Sequence, residues 1–322
     1  GYLKKGGSWA TACGEGCHSG KAMLRCLLKQ QSIDKKPMNL DEIRRLIIVA
    51  VCSDDVLLDT LVLKGGNALS LIHGVGQRSS IDIDFSMESD FADVDDARRR
   101  LFQSLRERFD TQGLVVFDED LRPKPRSPLN PHWGGYLVEF KLIARAKHQA
   151  LSGNLEVIRR QSEAVGDSSH SRKFRIEISK FEYVADKAEA EIDDYLCYVY
   201  TLPMIAAEKL RAICQQMDGY PLTAHPRPRA RDFYDIYAIA TERALDFARP
   251  EFHDLVRHMF AAKDVPLAFL AQIPAQESFH AQDWPAVRDT IQIGAQDFSY
   301  YFAFVVKQLA QLKPLWEKEP PL

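Results

Sequence analysis

The sequence predicts an α/β domain followed by a mainly helical domain, and three observations lead to this expectation. Short apolar segments with strand-like alternation occur between residues 61 and 200. Amphipathic stretches with helical spacing lie between them and replace them after residue 203. The 322 residues are also enough for two domains of ordinary size. We therefore expect an α/β domain over residues 38–202 and a helical domain over residues 203–322.

The composition excludes some classes of protein. The formal net charge is −3, so no overall basic excess demands nucleic acid. No apolar run approaches the roughly 20 residues of a membrane span, which favours a soluble, cytoplasmic protein without membrane contact. The six cysteines are expected to be buried free thiols in a reducing cytoplasm.

Residues 1–37 differ in composition from the rest of the chain, because they are rich in Gly, Lys and Ser. They lack the apolar core and the cleavage site of a secretory signal. The spacing of their cysteines and histidine matches no familiar zinc site. We expect this segment to be a poorly ordered extension and the folded protein to begin near Met38.

The individual elements follow from periodicity and turn chemistry. Helices are predicted from Leu40 and Asn67, over residues 92–109 and 144–164, and from Pro203, Ala230, Pro250 and Phe298. Strands are predicted over residues 61–63, 82–84, 114–117, 136–143, 174–179 and 195–200. Four prolines between residues 123 and 131 exclude a regular element there.

Two aspartates mark the second predicted strand. Asp82 and Asp84 are two residues apart, so their side chains share one face at roughly 6–7 Å along the strand. Paired carboxylates repel each other, and a hard divalent cation that both of them bind makes such a pair favourable. An isolated Asp-x-Asp is common by chance, but the glycine turn before it strengthens the signal. The pair predicts Mg²⁺.

That turn is Lys64-Gly65-Gly66, directly before a short predicted helix. Glycines let backbone amides approach a ligand closely, and the start of a helix presents unpaired N–H groups to phosphate. Lys64 adds positive charge, and Asn67 is expected to cap the helix. A Gly-Gly turn alone is usually only a turn. Next to the aspartate pair it predicts a magnesium–nucleoside triphosphate and in-line displacement at phosphorus.

These motifs resemble a known family. The string KGGNAL from Lys64 and the string RSSIDIDF from Arg78 are similar to the first motif of the AbiEii/AbiGii-type nucleotidyltransferase toxins, in the DNA polymerase β-like superfamily. Many relatives have Gly-Ser in place of Gly65-Gly66, and Thr is common in place of Asn67. The resemblance implies a polymerase β-like fold with a mixed sheet flanked by helices, and a triphosphate held by the glycine turn, Arg78 and Ser80.

The resemblance also implies a third carboxylate on a strand beside the Asp-x-Asp motif. Glu177 lies between two isoleucines in the predicted strand 174–179, where it serves as a metal ligand or as a general base for the attacking hydroxyl. Glu139 is a rival in an equivalent strand. An exposed glutamate on a half-buried strand explains Glu177 equally well.

Two further resemblances lie in the helical half. The string PMIAAEKL contains Lys209 and resembles the third motif of the family, whose lysine faces the nucleotide and neutralises triphosphate charge. The string RDFYD from Arg231 resembles the fourth motif, R-D-x-x-D, and places Asp232 and Asp235 on one helix face. Their role is open at this point: they orient Lys209 or Arg231, bind metal or ribose, or hold the terminal nucleotide of the substrate. A simple ion pair between Asp235 and Lys209 is the alternative.

We therefore expect a Mg-dependent enzyme that moves a nucleoside monophosphate from an NTP to an acceptor hydroxyl. Two Mg²⁺ ions are expected at Asp82, Asp84 and Glu177, with Lys209 assisting catalysis. The resemblance implies a toxin of a type IV toxin–antitoxin or abortive-infection system that acts in phage defence. It also implies an RNA acceptor, the tRNA 3′ end, and a cognate antitoxin encoded beside the toxin.

Three alternatives use the same residues differently. A small-molecule nucleotidyltransferase of the aminoglycoside-modifying sort and a protein-modifying transferase both need the same carboxylates and triphosphate. A non-catalytic nucleotide-binding or partner-binding module is the alternative of a different class, and the intact carboxylates argue against it. Basic tracts at residues 122–126, 141–148 and 227–231 are available to contact the phosphates of an RNA acceptor.

Overall fold

Strand pairing organises the structure, a computed structural model that describes residues 38–76, 80, 82–126, 130, 133–151, 153–165, 171–291 and 294–317. The strands in these residues are β1 Val62–Lys64, β2 Ile83–Ser86, β3 Leu114–Lys124, β4 Gly135–Ala144, β5 Phe174–Ser179, β6 Ala188–Ile192 and β7 Tyr195–Val199. They form one sheet in the order β3-β4-β5-β2-β1-β7-β6. Strands β2 and β5 pair in parallel, as do β1 and β7, and the other pairs are antiparallel. The sheet is mixed, as predicted.

Helices cover the remaining regular structure. The α-helices are α1 Leu40–Cys52, α2 Asp55–Thr60, α3 Gly65–Asn67, α4 Val94–Asp110, α5 Arg145–Ala150, α6 Leu155–Gln161, α7 Leu202–Cys214, α8 Ala230–Glu242, α9 Pro250–Ala261, α10 Glu277–His280, α11 Trp284–Arg288 and α12 Phe298–Leu309. A π-helical turn at Ala68–Ile72 follows α3, and 3₁₀ turns cover Leu267–Ala275, Ala281–Asp283 and Ala310–Leu315. None of the helices in the described residues is both long and apolar enough to cross a bilayer.

Local chemistry explains where the main helices begin. Helix α4 starts after Asp93, whose carboxylate accepts hydrogen bonds from the backbone N–H groups of Asp95 and Asp96 at 2.9 and 3.0 Å. Helix α7 has Pro203 in its first turn, where the missing N–H group costs little. The predicted starts at Leu40, Pro203, Ala230, Pro250 and Phe298 agree with the structure within one residue.

Helix α7 packs within the helical half. It packs on α8 and α9, and the side chains of Ile205, Leu210 and Ile213 on it are completely buried. Full burial of one such side chain stabilises the fold by about 1.5–3 kcal/mol. Residues from Leu40 onward group into one compact unit. The domain boundary expected at residue 202 stays a prediction.

Strand β3 is longer than the sequence predicts. It continues through Pro123 to Lys124, although the prolines were expected to exclude a regular element after residue 122. The reason is that β3 is an edge strand, where a residue without an N–H group removes no hydrogen bond from the sheet interior.

The helix predicted over residues 144–164 is two short helices, α5 and α6. Gly153 lies between them with a φ of 91°, a conformation that glycine adopts without strain. Asn154 then caps α6, since its side-chain oxygen accepts a hydrogen bond from the N–H group of Val157 at 3.1 Å. The prediction of one continuous helix was wrong because these two residues were not recognised as a stop and a new start.

Strand β6 is a feature that the sequence reading missed. It forms a hairpin with β7 through Asp193 and Asp194, which both have positive φ angles, 49° and 66°. Two such residues fit the tightest hairpin turn. Most residues of β6 are Ala and Glu, which have a low strand preference, so pairing with β7 decides its conformation.

The structure tests three of the six predicted free thiols and does not test the predicted N-terminal extension. Cys52, Cys197 and Cys214 are buried and free, as predicted. The other three cysteines and the predicted extension over residues 1–37 lie outside the described residues.

Candidate active site

Two carboxylates lie side by side where β2 and β5 meet. The parallel register of these strands pairs Asp84 with Glu177. On the other side of β2, the antiparallel register pairs Asp84 with Lys64 of β1. Neighbouring strands are about 4.8 Å apart, so the three residues form one row across the sheet. Asp82 directly precedes β2 and is therefore not inside the strand that was predicted to contain it.

Burial opposes ionisation of Asp84 and of Asp82. It raises the pKa of Asp84 to about 6, and the negative charges of Glu177 and Glu208 act in the same direction against the opposing charge of Lys64. Burial and Glu177 also raise the pKa of Asp82. A bound cation stabilises the ionised form of a carboxylate. The two carboxylates therefore favour binding of a positively charged ligand.

Glu177 forms an ion pair with an exposed lysine, Lys124, which a metal ion can replace. Its Oε2 lies 2.6 Å from Nζ of Lys124, whose side chain is 51% exposed. Ion pairs of this exposure contribute about 0–1 kcal/mol, so a stronger cation replaces the lysine at little cost.

Glu139, the rival to Glu177, is occupied elsewhere. It forms ion pairs with Arg122, Lys173 and Arg175 at 2.9, 2.8 and 3.1 Å. Although burial opposes its ionisation, hydrogen bonds from these three cations lower the pKa of Glu139 to about 2. A carboxylate with three cationic partners has little capacity left for a metal ion. The arrangement favours Glu177 as the third carboxylate.

The glycine turn lies directly against Asp84. Gly65 has a φ of 70°, and a Cβ atom on it would collide with Oδ2 of Asp84. Two independent reasons, backbone conformation and space, therefore require glycine here. The turn brings the first residues of α3 next to the carboxylate row, as the sequence predicted.

Asn67 does not cap the helix as expected. Lys64 occupies the cap position of α3, and Asn67 lies inside this helix. The side chain of Asn67 is completely buried and donates a hydrogen bond from Nδ2 to the carbonyl oxygen of Asp82 at 2.6 Å. Its position thus supports the backbone of the aspartate motif.

Lys64 is held in a buried ion pair. Its Nζ lies 2.6 Å from Oε1 of Glu208 on α7 and 3.1 Å from Oγ of Ser179. Burial alone would lower the pKa of Lys64, but the attraction of Glu208 and Glu182 outweighs this effect and raises it. The lysine therefore stays charged and ties β1 to the helical half.

Further buried charges continue this network from Lys64. Glu182 lies 2.7 Å from Arg211 of α7 and 3.6 Å from Lys263, which follows α9. Burial lowers the pKa of Lys263 to about 8, assisted by the positive charges of Arg211 and Lys64 and opposed by Glu182. Sequence reading missed these residues, because scattered single charges have no local pattern.

Lys209 is fixed by two buried aspartates. Its Nζ lies 2.5 Å from Oδ2 of Asp235 and 3.1 Å from Oδ1 of Asp232. Arg229 also contacts Asp232, with Nε 2.6 Å from Oδ2. Burial opposes ionisation of Asp232, but Arg229 and Lys209 outweigh it, so its pKa is lowered. The ion pair predicted between Asp235 and Lys209 is present, and it orients the lysine.

One cavity of about 470 Å³ collects most of these side chains. It brings together the following residues of the predicted site: Lys64, Gly65, Gly66, Ser80, Asp84, Glu177, Lys209 and Asp232. Asp82, Asn67 and Asp235 lie close to this group but are not among the residues that line the cavity. Arg78 lies outside the described residues.

Additional cations line the same cavity. Lys124 and Arg229 pair with carboxylates of the site, whereas Arg231 is exposed. All three belong to basic tracts that the sequence analysis singled out as phosphate contacts. The third tract is different, because Lys141 pairs with Asp118 at 3.0 Å and does not line the cavity.

The donor set fits a magnesium ion that arrives with its substrate. Within the described part of the chain, no group of three His, Cys, Asp or Glu side chains forms a ready metal site. Asp84 and Glu177 nevertheless supply hard oxygen donors on adjacent strands. Proteins usually hold Mg²⁺ through one or two carboxylates, with water and substrate phosphates completing the coordination.

Comparisons with known proteins agree with this chemistry. The sequence matches the family model described as "Nucleotidyl transferase AbiEii toxin, Type IV TA system" over residues 47–307, a span that includes every residue of the cavity. A search of curated proteins finds no match.

Solved structures include two similar chains. One, from H. pylori, is described as a putative nucleotidyltransferase; it has 17% sequence identity and a TM-score of 0.48, and the match covers 90% of this chain and 100% of that chain. The other is an antigenic nucleotidyltransferase-like protein from Paracoccidioides brasiliensis, with 14% identity, a TM-score of 0.38, and coverage of 80% and 97%.

Proposed function

Because the chain belongs to the AbiEii nucleotidyltransferase toxin family of type IV toxin–antitoxin systems, we propose that its cavity moves a nucleoside monophosphate from an NTP to an acceptor hydroxyl. Family membership makes the chain a nucleotidyltransferase. The observation that carries the detailed proposal is the register of Asp84 with Glu177 beside the glycine turn. This arrangement offers metal ligands and phosphate-binding amides in one cavity.

The carboxylates are the proposed metal ligands. Asp84, Asp82 and Glu177 would hold two Mg²⁺ ions, which supply Lewis-acid stabilisation of charge on the phosphate oxygens. Lys124 leaves Glu177 when the substrate complex binds, which the exposure of this lysine allows. Asn67 keeps the backbone of Asp82 in place.

The triphosphate is proposed to lie between the glycine turn and the helical half. Amides at Gly65 and Gly66, with Ser80 and Arg78, grip its oxygens. Lys209, which Asp232 and Asp235 orient, neutralises charge that builds up on the leaving pyrophosphate. Lys64 keeps its charge close to the same oxygens.

The chemical step is a single displacement. The acceptor oxygen forms a bond to the α-phosphorus while the bond from that phosphorus to the bridging oxygen breaks, and pyrophosphate leaves with the electron pair. The proton of the acceptor hydroxyl passes to a base, and Glu177 is suitably placed because it lies beside Asp84 and is partly exposed.

An RNA acceptor, the tRNA 3′ end, is the proposed substrate, and cations that line the cavity support it, of which Lys124 and Arg231 are exposed. Lys124, Arg229 and Arg231 line the cavity and belong to two basic tracts that continue beyond it. Such tracts contact RNA phosphates. A toxin of this kind acts in the cytoplasm as part of phage defence, and a cognate antitoxin encoded beside it would relieve its effect.

Labelling identifies both the reaction and the acceptor. Purified protein is incubated with Mg²⁺, each NTP labelled at the α-phosphorus, and total cellular RNA and protein, followed by a denaturing gel. We expect label on RNA of tRNA size with the wild-type chain and with Glu191→Gln, an exposed change on β6, but not with Asp84→Ala. Label on a protein band would reassign the acceptor to protein.

A pyrophosphate-release assay with the same NTPs and acceptors distinguishes the small-molecule and non-catalytic alternatives. Pyrophosphate release only after addition of a small-molecule extract would indicate a drug-modifying type of transferase. No pyrophosphate release with any acceptor would contradict the proposed reaction. Growth arrest on expression, absent for Asp84→Ala and relieved by the neighbouring gene product, is the expected result for a toxin.

A further inference from the structure

An aromatic side chain, Trp133, also lines the cavity, away from the carboxylate row. Glu208 on α7 contacts Lys64, the neighbour of Asp84 in the sheet. Gln215 follows seven residues later, and a helical rise of 1.5 Å per residue separates the two by about 10 Å. Trp133 lines the cavity together with Gln215.

The position of Trp133 is set by the two glycines after it. Gly134 has a φ of 105°, its carbonyl oxygen accepts a hydrogen bond from the N–H group of Lys180 at 3.0 Å, and a Cβ atom on it would lie 3.0 Å from the carbonyl oxygen of Lys124. A Cβ atom on Gly135 would collide with the backbone of Ile178. The chain at Trp133 is therefore pressed against β5 and the end of β3.

Hydrogen bonds through Tyr220 connect Trp133 to the helical half. The hydroxyl of Tyr220 donates to the carbonyl oxygen of Lys263 at 3.0 Å and accepts from Nε2 of Gln215 at 3.1 Å. The side chain of Trp133 also hydrogen-bonds to Tyr220. Since an indole has only one polar hydrogen, what remains available to a ligand in the cavity is its aromatic face.

We propose that Trp133 is the stacking platform for a nucleobase in this cavity, an inference that rests on the proposed nucleotidyl transfer. Along α7, about 10 Å separates Glu208, which contacts Lys64, from Gln215, which shares its partner Tyr220 with Trp133. This spacing leaves room for the sugar of a nucleotide between a phosphate at the carboxylate row and a base at Trp133. Every base has an aromatic face, so stacking on tryptophan adds affinity with little sequence preference. The base comes either from the NTP or from the end of the RNA acceptor.

Two substitutions test the platform. Trp133→Leu removes the ring, whereas Trp133→Phe keeps a smaller aromatic face. In the presence of Mg²⁺, we expect Trp133→Leu to weaken NTP binding about tenfold or more and Trp133→Phe to weaken it only slightly. Binding of inorganic tripolyphosphate, which has no base, is expected to stay unchanged in both variants. The tryptophan fluorescence quenching caused by NTP should disappear in Trp133→Phe although this variant still binds.

The same measurements show whether the base belongs to the NTP or to the RNA acceptor. They also include results that would contradict the inference. If the base belongs to the acceptor, NTP affinity stays constant and the KM for total tRNA rises about tenfold in Trp133→Leu. Unchanged NTP affinity and unchanged KM would overturn the inference, as would equal weakening of tripolyphosphate binding, which indicates a structural role. If the wild-type chain binds no NTP at all, the proposed function itself fails.

Discussion

At the scale of single residues, the proposed metal ligand Asp84 has an energetic cost. Burial and nearby carboxylates hold its pKa at about 6, above the ordinary value of 3.8. The folded chain then binds this proton more tightly than the unfolded chain does. Ionised Asp84 therefore costs folding free energy above about pH 6, and this cost vanishes as the pH falls below the ordinary value.

Asp84→Asn should consequently stabilise the protein while abolishing transfer. In the absence of divalent metal, we expect a gain of up to about 3 kcal/mol at pH 8, because each pKa unit corresponds to about 1.4 kcal/mol. The gain should be smaller at pH 5, where the wild-type carboxyl is largely protonated. Thermal unfolding at both pH values, with Glu191→Gln as control, measures this. An equal gain at pH 5 and pH 8 would contradict the electrostatic explanation.

Gly65 allows a second test at the same scale. Gly65→Ala introduces a side chain at positive φ and pushes against Oδ2 of Asp84, so we expect transfer to fall about 10²-fold, as misplacement of a reacting group does. Gly153→Ala is the matched control, because Gly153 has a φ of 91° with nothing within 4 Å of the added atom. This control should lose only stability, about 1 kcal/mol. Similar activity losses in both variants would show that strain, not contact with Asp84, is responsible.

At the scale of elements, strand register selects one glutamate over another. Glu139 and Glu177 lie in neighbouring strands, β4 and β5, but only Glu177 pairs with Asp84. Glu139 pairs with Arg175 instead and is surrounded by cations. Register therefore separates a candidate catalytic carboxylate from a structural one.

Matched variants of the two glutamates test this distinction. We expect Glu177→Gln to reduce transfer by about 10²–10⁴-fold with little change in stability, as loss of a base or metal ligand does. Glu139→Gln should retain transfer but cost about 1–3 kcal/mol of stability, because its cationic partners lose a buried acceptor. Initial rates and denaturant unfolding of both variants provide the comparison. The reverse pattern would make Glu139 the third carboxylate.

The contact between α7 and α8 supports a further prediction. Lys209→Met leaves the buried Asp232 and Asp235 short of positive charge, so we expect a loss of about 3–5 kcal/mol. The double variant Lys209→Met/Asp235→Asn should regain most of this stability without regaining transfer. Recovery of transfer in the double variant would mean that Lys209 only supports the fold. A urea unfolding series and the labelling assay distinguish these outcomes.

At the scale of the whole molecule, the cavity has one wall from the sheet and one from the helical half. Lys64, Asp84 and Glu177 come from strands, whereas Lys209 and Arg231 come from α7 and α8. The ion pair between Lys64 and Glu208 joins the two walls. A ligand that contacts both walls therefore stabilises the entire fold.

Magnesium and NTP together should raise the melting temperature. A ligand at 100 times its Kd adds about 2.7 kcal/mol of stability. We expect this increase with Mg²⁺ and NTP, a much smaller one with NTP and a chelator, and little in Asp84→Ala. Thermal scans over a range of NTP concentrations measure it. Equal increases with and without Mg²⁺ would argue against metal ligation by the carboxylate row.

Sequence reasoning singled out eight residues that the structure brings together in one cavity, because the signals for them are local. The turn at Gly65, the pair Asp82 and Asp84, and the strand around Glu177 each depend on residues within a few positions of each other. Hydrophobic periodicity likewise predicted β5 with its observed ends. The error at Asn154 also has a local cause, because a helix cap was not recognised. The error at Pro123 does not, because the strand order of the sheet makes β3 an edge strand.

The sequence by itself determined the type of element around each motif and the chemical class of the site, because backbone preference and periodicity act between near neighbours. Only the tertiary structure decided which charges meet. Lys64 contacts Glu208, Glu182 contacts Arg211, and Trp133 shares the cavity with Asp84. Such contacts depend on strand register and helix packing between distant segments, and no local pattern encodes them.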